Sequence, residues 1–193
     1  MRGEDIRFAE AEGGILEQLL SHLDAAHNLA RWLTRNSHDA EDVVQEAYLR
    51  AFKSFRTFNG SDARRWLLTI VRNTCYTWLK RNRPGQSTVE FDERTHSLEG
   101  DAADPETILM RSADTQLVRQ ALEELPLEFR EALILREMEG LSYKEIAQVA
   151  DIPVGTVMSR LARGRKRLEA VLTRGTDLDV EHSNSIRRVL PAL

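Results

Sequence analysis

The chain has 193 residues, of which 41% are hydrophobic and 30% charged, with a formal net charge of -4 at pH 7. This composition predicts a soluble, largely helical protein with enough apolar residues for one domain or two small ones. Its single cysteine, Cys75, excludes an intrachain disulfide framework, and no apolar run reaches the roughly 20 residues that span a bilayer. We therefore expect a cytoplasmic protein without membrane insertion.

The charges are segregated along the chain. Residues 61–83 carry six basic side chains and one acid, and residues 154–174 again carry six and one. Between these blocks, residues 84–104 carry six acids and one arginine. Two basic blocks separated by an acidic spacer suggest two binding sites on a polyanion.

Helical periodicity dominates the N-terminal part, and no stretch of any length alternates like a strand. Leucines at helical spacing predict a first helix from Ile15 to Arg35. A second helix is predicted from about Asp39, which would serve as its N-cap, to Phe55. After the turn at 58–62, a third helix is predicted from about Ala63 to Arg81.

The acidic spacer has Pro, Gly and scattered polar residues without a period, which predicts a flexible linker at 84–104. Beyond it, one helix is predicted from Pro105 to just before Pro126, and another from about Leu127 to Glu139, closed by Gly140. We expect an all-α fold with two small helical domains, at 1–83 and 105–174. Residues 175–193 form a C-terminal tail without an informative pattern.

The segment from Leu141 onward predicts a helix-turn-helix. Ser142 and Glu145 have the spacing of a capping box, so a short helix should begin at Tyr143. The residues before Pro153 break the chain, and a longer basic helix should begin at Pro153 or Val154. A short helix, a tight turn and a basic helix are typical of a DNA-binding motif.

The basic helix has two distinct sides. Its apolar side is predicted to pack on the preceding helix, with Gly164 allowing close approach. The opposite side carries short polar groups that can reach base edges and cations that can reach phosphates. The predicted DNA-binding residues are Thr156, Ser159, Arg160, Arg163 and Lys166. The alternative, a solvated face that only keeps the protein soluble, is disfavoured because the capping box and the turn are in register.

The third helix is predicted to carry a second basic surface. Its predicted inner side carries Trp66, Ile70, Val71, Cys75 and Trp78. Its outer side interleaves cations with Tyr76, which suits contact with a nucleic-acid backbone and stacking on an unpaired base. The outer residues are Arg65, Thr69, Arg72, Tyr76, Lys80 and Arg83. On its own this pattern also fits long basic side chains lying along an ordinary helix surface.

The second helix mixes acids with an apolar residue on its outer face. Val43, Val44, Ala47, Tyr48, Ala51 and Phe55 are its predicted core residues. Asp42, Gln45, Glu46, Leu49 and Lys53 share the other face, which fits a stripe that docks on another protein. An ordinary hydrated helix with one exposed leucine is about equally consistent with these residues.

The sequence contains no convincing enzyme site. The segment from His38 to Asp42 is similar to a metal-binding His-Asp pair, but capping explains Asp39 and the other histidines lack ligand spacing. Cys75 lies on an apolar face as a core thiol. We expect no catalytic residue, no metal and no cofactor.

Three segments resemble bacterial RNA polymerase sigma factors of the sigma-70 family, extracytoplasmic-function (ECF) group. "DAEDVVQEAYLRAF" resembles the region 2 helix that binds core polymerase, and "WLLTIVRNTCYTWLKR" resembles the helix that recognises the -10 element. "ALEELPLEFREALILREMEGLSYKEIAQVADIPVGTVMSRLARGRKRL" resembles the region 4 helix-turn-helix nearly throughout. Together the segments cover well over half of the chain in the family's order.

The resemblance implies a non-catalytic subunit that binds core RNA polymerase and directs promoter-specific initiation. Region 4 would read the -35 duplex, and region 2 would read and open the -10 element. The implied core-binding residues are Asp39, Asp42, Gln45, Glu46 and Leu49. The implied -10 residues are Asn59, whose loop would hold a flipped base, with Arg65, Arg72, Asn73, Tyr76 and Lys80. The chain departs from many members at Thr77, commonly Asp, and from some at Met158, where they carry Arg.

Two rival functions follow from the same features. A regulator with a similar helix-turn-helix would lack the first two segments, and both are present. A decoy that only sequesters an anti-sigma protein should have lost its DNA-facing cations, which this chain keeps. For a sigma factor, the expected partners are core RNA polymerase, promoter DNA and an anti-sigma protein.

Overall fold

The computed structural model describes residues 14, 17–54, 58, 62–82 and 116–175. These residues divide into two compact units, one ending at Asn82 and the other formed by most of residues 116–175. All regular secondary structure in these ranges is helical, which confirms the predicted all-α class. The predicted linker and C-terminal tail lie outside the described residues.

Three helices build the N-terminal unit: α1 (Leu23–Thr34), α2 (Ser37–Ser54) and α3 (Ala63–Asn82). Each contacts the other two, so the unit is a three-helix bundle around one core. The fully buried side chains include Leu29 and Leu33 of α1, Val43 and Ala47 of α2, and Leu67, Leu68 and Val71 of α3.

The first helix is interrupted where the sequence predicted one continuous helix. Residues 17–20 are helical, but Ser21 and His22 form a turn before α1 begins. The Ser21 hydroxyl donates to the carbonyl of Gln18 at 2.7 Å. The His22 backbone N–H donates to the Leu19 carbonyl at 3.0 Å, so the chain tightens into an i to i−3 turn at this point. At its other end α1 stops at Arg35, which has a φ of 60°.

The N-cap of α2 is Asn36, so the prediction of Asp39 as N-cap is wrong. The Asn36 side-chain oxygen accepts the Asp39 backbone N–H at 3.1 Å. Asp39 therefore lies inside the first turn, where its negative charge favours the positive end of the helix dipole. Both residue types cap well, and capping propensity alone could not separate them.

Tyr48 ties α2 to the segment before α1. Its hydroxyl donates to the carbonyl of Leu19 at 2.8 Å. Burial, with a smaller contribution from the negative charge of Asp24, raises the Tyr48 pKa to about 12. The phenol is thus held in its neutral, donating form.

The buried side of α3 is rotated from the predicted one. Val71 and Cys75 are buried as expected, but Leu67, Leu68 and Thr74 complete the buried stripe. Trp66, Ile70 and Trp78, which were predicted to face inward, are only half-buried. The prediction placed Trp66 and Trp78 in the core because their side chains are large and apolar. In the structure Leu67 and Leu68 fill the core of the bundle instead.

The C-terminal unit contains α4 (residues 116–123), α5 (Leu127–Leu133), α6 (Tyr143–Ala150) and α7 (Val154–Gly175). The α4 helix ends before Pro126 as predicted, and its predicted start lies outside the described residues. Buried Arg130 donates from Nη1 to the carbonyl of Glu123 at 2.9 Å. This bond satisfies a carbonyl at the end of α4.

The predicted helix from Leu127 to Glu139 ends in a π-helical turn, Ile134–Met138. The Glu139 N–H donates to the Ile134 carbonyl at 3.0 Å. Gly140 follows with a φ of 67°, a conformation that glycine adopts without strain. Gly140 thus closes the helix, as predicted.

The helix-turn-helix forms at the predicted residues. Glu145 N–H donates to the Ser142 hydroxyl at 3.3 Å, and Ser142 N–H donates to the Glu145 carboxylate at 2.7 Å. This reciprocal pair confirms the capping box and starts α6 at Tyr143. Asp151, with a φ of 52°, ends α6, and α7 begins at Val154.

Candidate nucleic-acid interface

The apolar side of α7 anchors it against α5. Val157, Leu161 and Leu168 are buried, as predicted from their spacing. A Cβ added at Gly164 would lie 3.2 Å from Leu133 Cδ1 and 3.4 Å from Phe129 Cβ. The close approach expected at Gly164 is therefore made to α5, and the prediction that named the immediately preceding helix is wrong.

Five cations of α7, from Arg160 to Arg167, fall into two groups. In the first group, two arginines form ion pairs: Arg165 Nη2 lies 2.7 Å from Glu137 Oε1, and Arg160 Nη1 lies 3.5 Å from Glu131 Oε2. The third, Arg167, places its guanidinium 5.1 Å from the centroid of the Phe129 ring. The hydrogen bond to Glu137 is also the main reason why the Arg165 pKa is raised above its usual value.

Arg163 and Lys166 form the second group. Both are exposed, and neither forms an ion pair with any residue that the structure describes. Because they are three residues apart, they project from the same side of α7. Cations that are not neutralised by nearby carboxylates are the ones available to phosphate.

The N-terminal end of α7 presents small and uncharged groups. Gly155 and Ser159 are exposed, Thr156 is half-buried, and an added Cβ at Gly155 would meet nothing within 4 Å. Met158, which was not among the predicted contacts, has 53% of its surface exposed beside Ser159. An open helix end with hydroxyl and apolar groups suits contact with base edges and thymine methyl groups.

On α3, three of the predicted -10 residues lie together. The Arg72 guanidinium stacks 4.0 Å from the Tyr76 ring centroid, and Arg72 Nη1 donates to Asn73 Oδ1 at 3.2 Å. One face of Tyr76 is thus covered by a cation. Thr77 is exposed, but its hydroxyl donates to the Asn73 carbonyl at 2.8 Å.

The other predicted -10 residues are spread along α3 or lie beyond the described chain. Arg65 is half-buried and its Nη1 lies 3.7 Å from Asp62 Oδ2, while Asp62 also accepts the Arg65 backbone N–H at 2.9 Å. Lys80 is exposed in the last turn of the helix. Asn59 lies outside the described residues.

An aromatic pair near the start of α3 was missed. The rings of Phe58 and Trp66 have centroids 4.7 Å apart, and both side chains are half-buried. Trp66 is seven residues before Asn73, so the two lie on the same side of α3. That spacing was a signal in the sequence, but the assignment of Trp66 to the inner side of the helix concealed it.

The outer face of α2 combines acids with two exposed apolar residues. Leu49 has 60% of its surface exposed and Phe52 has 46%, one helical turn apart. Asp42 and Gln45 are exposed beside them, whereas Glu46 is paired with Arg50 and Asp39 is half-buried. Sequence reasoning identified Leu49 but missed Phe52, which enlarges the apolar patch.

Two negative findings concern the described residues alone. No helix in them is long and apolar enough to cross a membrane. Nor do they bring together three or more His, Cys, Asp or Glu side chains that could hold a metal ion.

Comparison with known proteins places these helices in one family. Residues 19–84 match the family model Sigma-70 region 2, and residues 115–168 match Sigma-70, region 4. The RNA polymerase sigma-H factor of Pseudomonas aeruginosa is 39% identical over 157 residues, which cover 76% of this chain and 81% of that protein. The ECF RNA polymerase sigma-E factor of Escherichia coli K12 is 38% identical over 152 residues, or 74% and 80% of the two chains.

The chain belongs to the ECF group of the sigma-70 family. As an ECF sigma factor it is a non-catalytic subunit that directs promoter-specific transcription initiation through core RNA polymerase. The predictions of family, function and absence of enzymatic activity are confirmed.

Solved structures give the same fold. The sigma factor RpoE in complex with the anti-sigma factor NepR, from Bartonella quintana, matches with a TM-score of 0.65 and 28% identity, over 83% of this chain and 97% of that one. CnrH in complex with the cytosolic domain of CnrY matches with a TM-score of 0.58 and 23% identity, over 87% and 91%. The second likeness extends to the fold alone.

Proposed function

We propose that α7 reads the -35 element, with Thr156 and Ser159 toward the base edges and Arg163 and Lys166 on phosphates. The observation that carries this proposal is the division of the α7 cations. Arg160, Arg165 and Arg167 are engaged within the protein, whereas Arg163 and Lys166 are exposed without an ion pair among the described residues. Those two side chains can bind phosphate without breaking an internal contact.

The -10 element is assigned to α3 and the loop before it. The Arg72, Asn73 and Tyr76 cluster offers a cation, an amide and an aromatic ring within about one helical turn. These are the groups that bind the backbone and stack on unpaired bases. Lys80 and Arg65 extend the positive surface along the helix, and the loop containing Asn59 would hold a flipped base.

Docking on core polymerase is assigned to the outer face of α2. Leu49 and Phe52 provide exposed apolar surface, and Asp42, Gln45, Glu46 and Asp39 surround it with polar groups. An apolar centre with a polar rim is the usual anatomy of a protein interface. By family resemblance, the partner surface is the clamp helices of the largest polymerase subunit.

These assignments divide the chain by task. Residues 1–83 bind core polymerase and the -10 element, and residues 105–174 bind the -35 element, with residues 84–104 as the connection. A protein that works on chromosomal promoters with core polymerase acts in the cytoplasm. An anti-sigma partner is also proposed, because the structurally similar sigma factor RpoE of Bartonella quintana forms a complex with the anti-sigma factor NepR.

The test is reconstitution of the full chain with core RNA polymerase. The holoenzyme is used to select duplexes from a library with randomised promoter positions. We expect two enriched motifs at a fixed spacing, one for each DNA-binding unit. The Arg163→Glu/Lys166→Glu double variant should bind core polymerase normally and lose the upstream motif.

A decoy gives a different result in the same experiment. A chain that fails to bind core polymerase, or a holoenzyme that enriches no upstream motif, contradicts the proposed function. Equal enrichment by the double variant contradicts only the assignment of the -35 phosphate contacts.

A further inference from the structure

A buried acid on α5 faces a cation on the DNA-reading helix. The Glu131 side chain is 1% exposed and Arg160 is 23% exposed, with Arg160 Nη1 3.5 Å from Glu131 Oε2. Nη1 is itself buried and has no hydrogen-bond partner among the described residues. The Arg160 guanidinium is therefore turned toward α5, although the sequence pattern predicted Arg160 as a DNA-binding residue.

A buried ion pair of this kind needs a reason other than stability. Removing both charges from water costs more than burying apolar side chains of similar size, so such pairs are weak sources of stability. Around Gly164 the α5–α7 contact is apolar, with Leu133 and Phe129 against the glycine, and Arg167 stacks on the Phe129 ring. Apolar contacts are not directional and permit small rotations of one helix on another, whereas a rotation that carried Arg160 away would remove this cation from the buried Glu131 carboxylate, which is costly.

The orientation of α7 about its axis decides which side chains meet the duplex. Side-chain tips lie about 5–6 Å from a helix axis. A rotation of about 20° would therefore shift them by about 2 Å, which is larger than the tolerance of a hydrogen bond. A contact that fixes this rotation determines base discrimination without touching DNA.

We propose that Glu131 is a positioning residue for -35 recognition. Its carboxylate holds the Arg160 guanidinium, and the pair fixes the rotation at which Thr156, Ser159 and Arg163 face the duplex. Arg160 is accordingly an anchor of α7 and makes no phosphate contact of its own. The inference rests on the proposed role of α7 as the -35 reader.

The test uses the reconstituted holoenzyme and the randomised duplex library. Glu131→Gln and Arg160→Gln should each reduce the preference for the selected -35 bases by about tenfold, which corresponds to about 1.4 kcal/mol. Because the two residues act as a unit, the double variant should be no worse than either single variant. Arg160→Lys should retain the preference, since a single ion pair at this distance does not need the guanidinium fork.

Two further measurements separate positioning from other roles. The salt dependence of promoter binding should be unchanged in Arg160→Gln, whereas loss of a phosphate contact lowers the slope of log K against log salt by about 0.9. The matched control is Glu137→Gln, which breaks the more exposed Arg165 pair on the same helix. It should leave the -35 preference unchanged.

Specific outcomes overturn the inference. A slope lowered by about 0.9 in Arg160→Gln identifies a phosphate contact instead. Loss of preference in Arg160→Lys as complete as in Arg160→Gln identifies direct base reading by the guanidinium. Normal preference in a folded Glu131→Gln variant removes the positioning role, and if that variant fails to fold by circular dichroism, the two Arg160 variants decide. A wild-type holoenzyme without any upstream preference overturns the proposed function itself.

Discussion

Neutralising Arg163 and Lys166 should reduce the salt dependence of promoter binding by an amount that the structure fixes. Each phosphate contact contributes about 0.9 to the slope of log K against log salt. Both side chains are exposed and without ion pairs among the described residues, so the Arg163→Gln/Lys166→Gln variant should lose about 1.8. Over a fourfold rise in salt, wild-type affinity should then fall about 12-fold further than that of the variant.

The assay is equilibrium binding of holoenzyme to a duplex promoter fragment over a salt series. Arg165→Gln is the matched control, because it removes a cation from the same helix that is hydrogen-bonded to Glu137 at 2.7 Å. We expect a wild-type slope for this control. A reduction of about 0.9, the value for one phosphate contact, would show that internal pairing does not withhold a cation from DNA. An unchanged slope in the double variant would refute the assignment of both phosphate contacts.

Three other predictions concern core docking, pH dependence and packing. Leu49→Ala/Phe52→Ala should weaken binding to core polymerase at least about tenfold with unchanged helicity. The matched control Leu23→Ala removes an exposed leucine of α1, outside this patch, and should bind normally. Wild-type affinity in the double variant would contradict docking through this patch. Folding raises the pKa of Tyr48 from 10.0 to about 12, so the unfolded chain loses this proton first and the free energy of unfolding should fall as the pH rises from 10 to about 12. Urea denaturation over this pH range should show no such contribution in Tyr48→Phe. An identical pH profile for the variant and the wild type would contradict the prediction. Gly164→Val should destabilise the C-terminal unit by about 1–3 kcal/mol, because its Cβ would lie 3.2 Å from Leu133. Gly155→Ala is the control: a Cβ at this position meets no other atom within 4 Å, so the change should be neutral or stabilising by up to about 1 kcal/mol. Equal thermal stability of Gly164→Val and the wild type would contradict the packing argument.

The helices and the helix-turn-helix could be predicted from local signals. The capping box at Ser142 and Glu145, the stop at Gly140 and the start of α7 at Val154 each depend on a few neighbouring residues. Backbone conformation at such positions is set locally, which is why the sequence identifies them. Where two capping residues competed, as at Asn36 and Asp39, the local signal was ambiguous.

The faces of α3 were harder to predict because they depend on tertiary packing. Helical spacing gives the angular position of each residue around the helix axis. It does not determine which side of the helix packs against the other two helices. Leu67 and Leu68 occupy it, while Trp66 lies beside Phe58 at the surface. Aromatic rings serve both in cores and at binding surfaces, so size and hydrophobicity could not assign Trp66 to either role.

The division of the α7 cations shows why net charge is a poor guide to binding by this chain. With a net charge of -4 the protein as a whole should repel DNA, but screening confines that repulsion to about 10 Å at ordinary ionic strength. What a phosphate meets is the local field at α7. There Glu131 lies against the inward-turned Arg160, and Glu137 pairs with the partly exposed Arg165, so those acids offset cations that DNA does not need to contact. Arg163 and Lys166 are exposed and have no ion pair among the described residues. Because the acids near α7 pair with other arginines, a protein of negative net charge can still present a helix that binds phosphate.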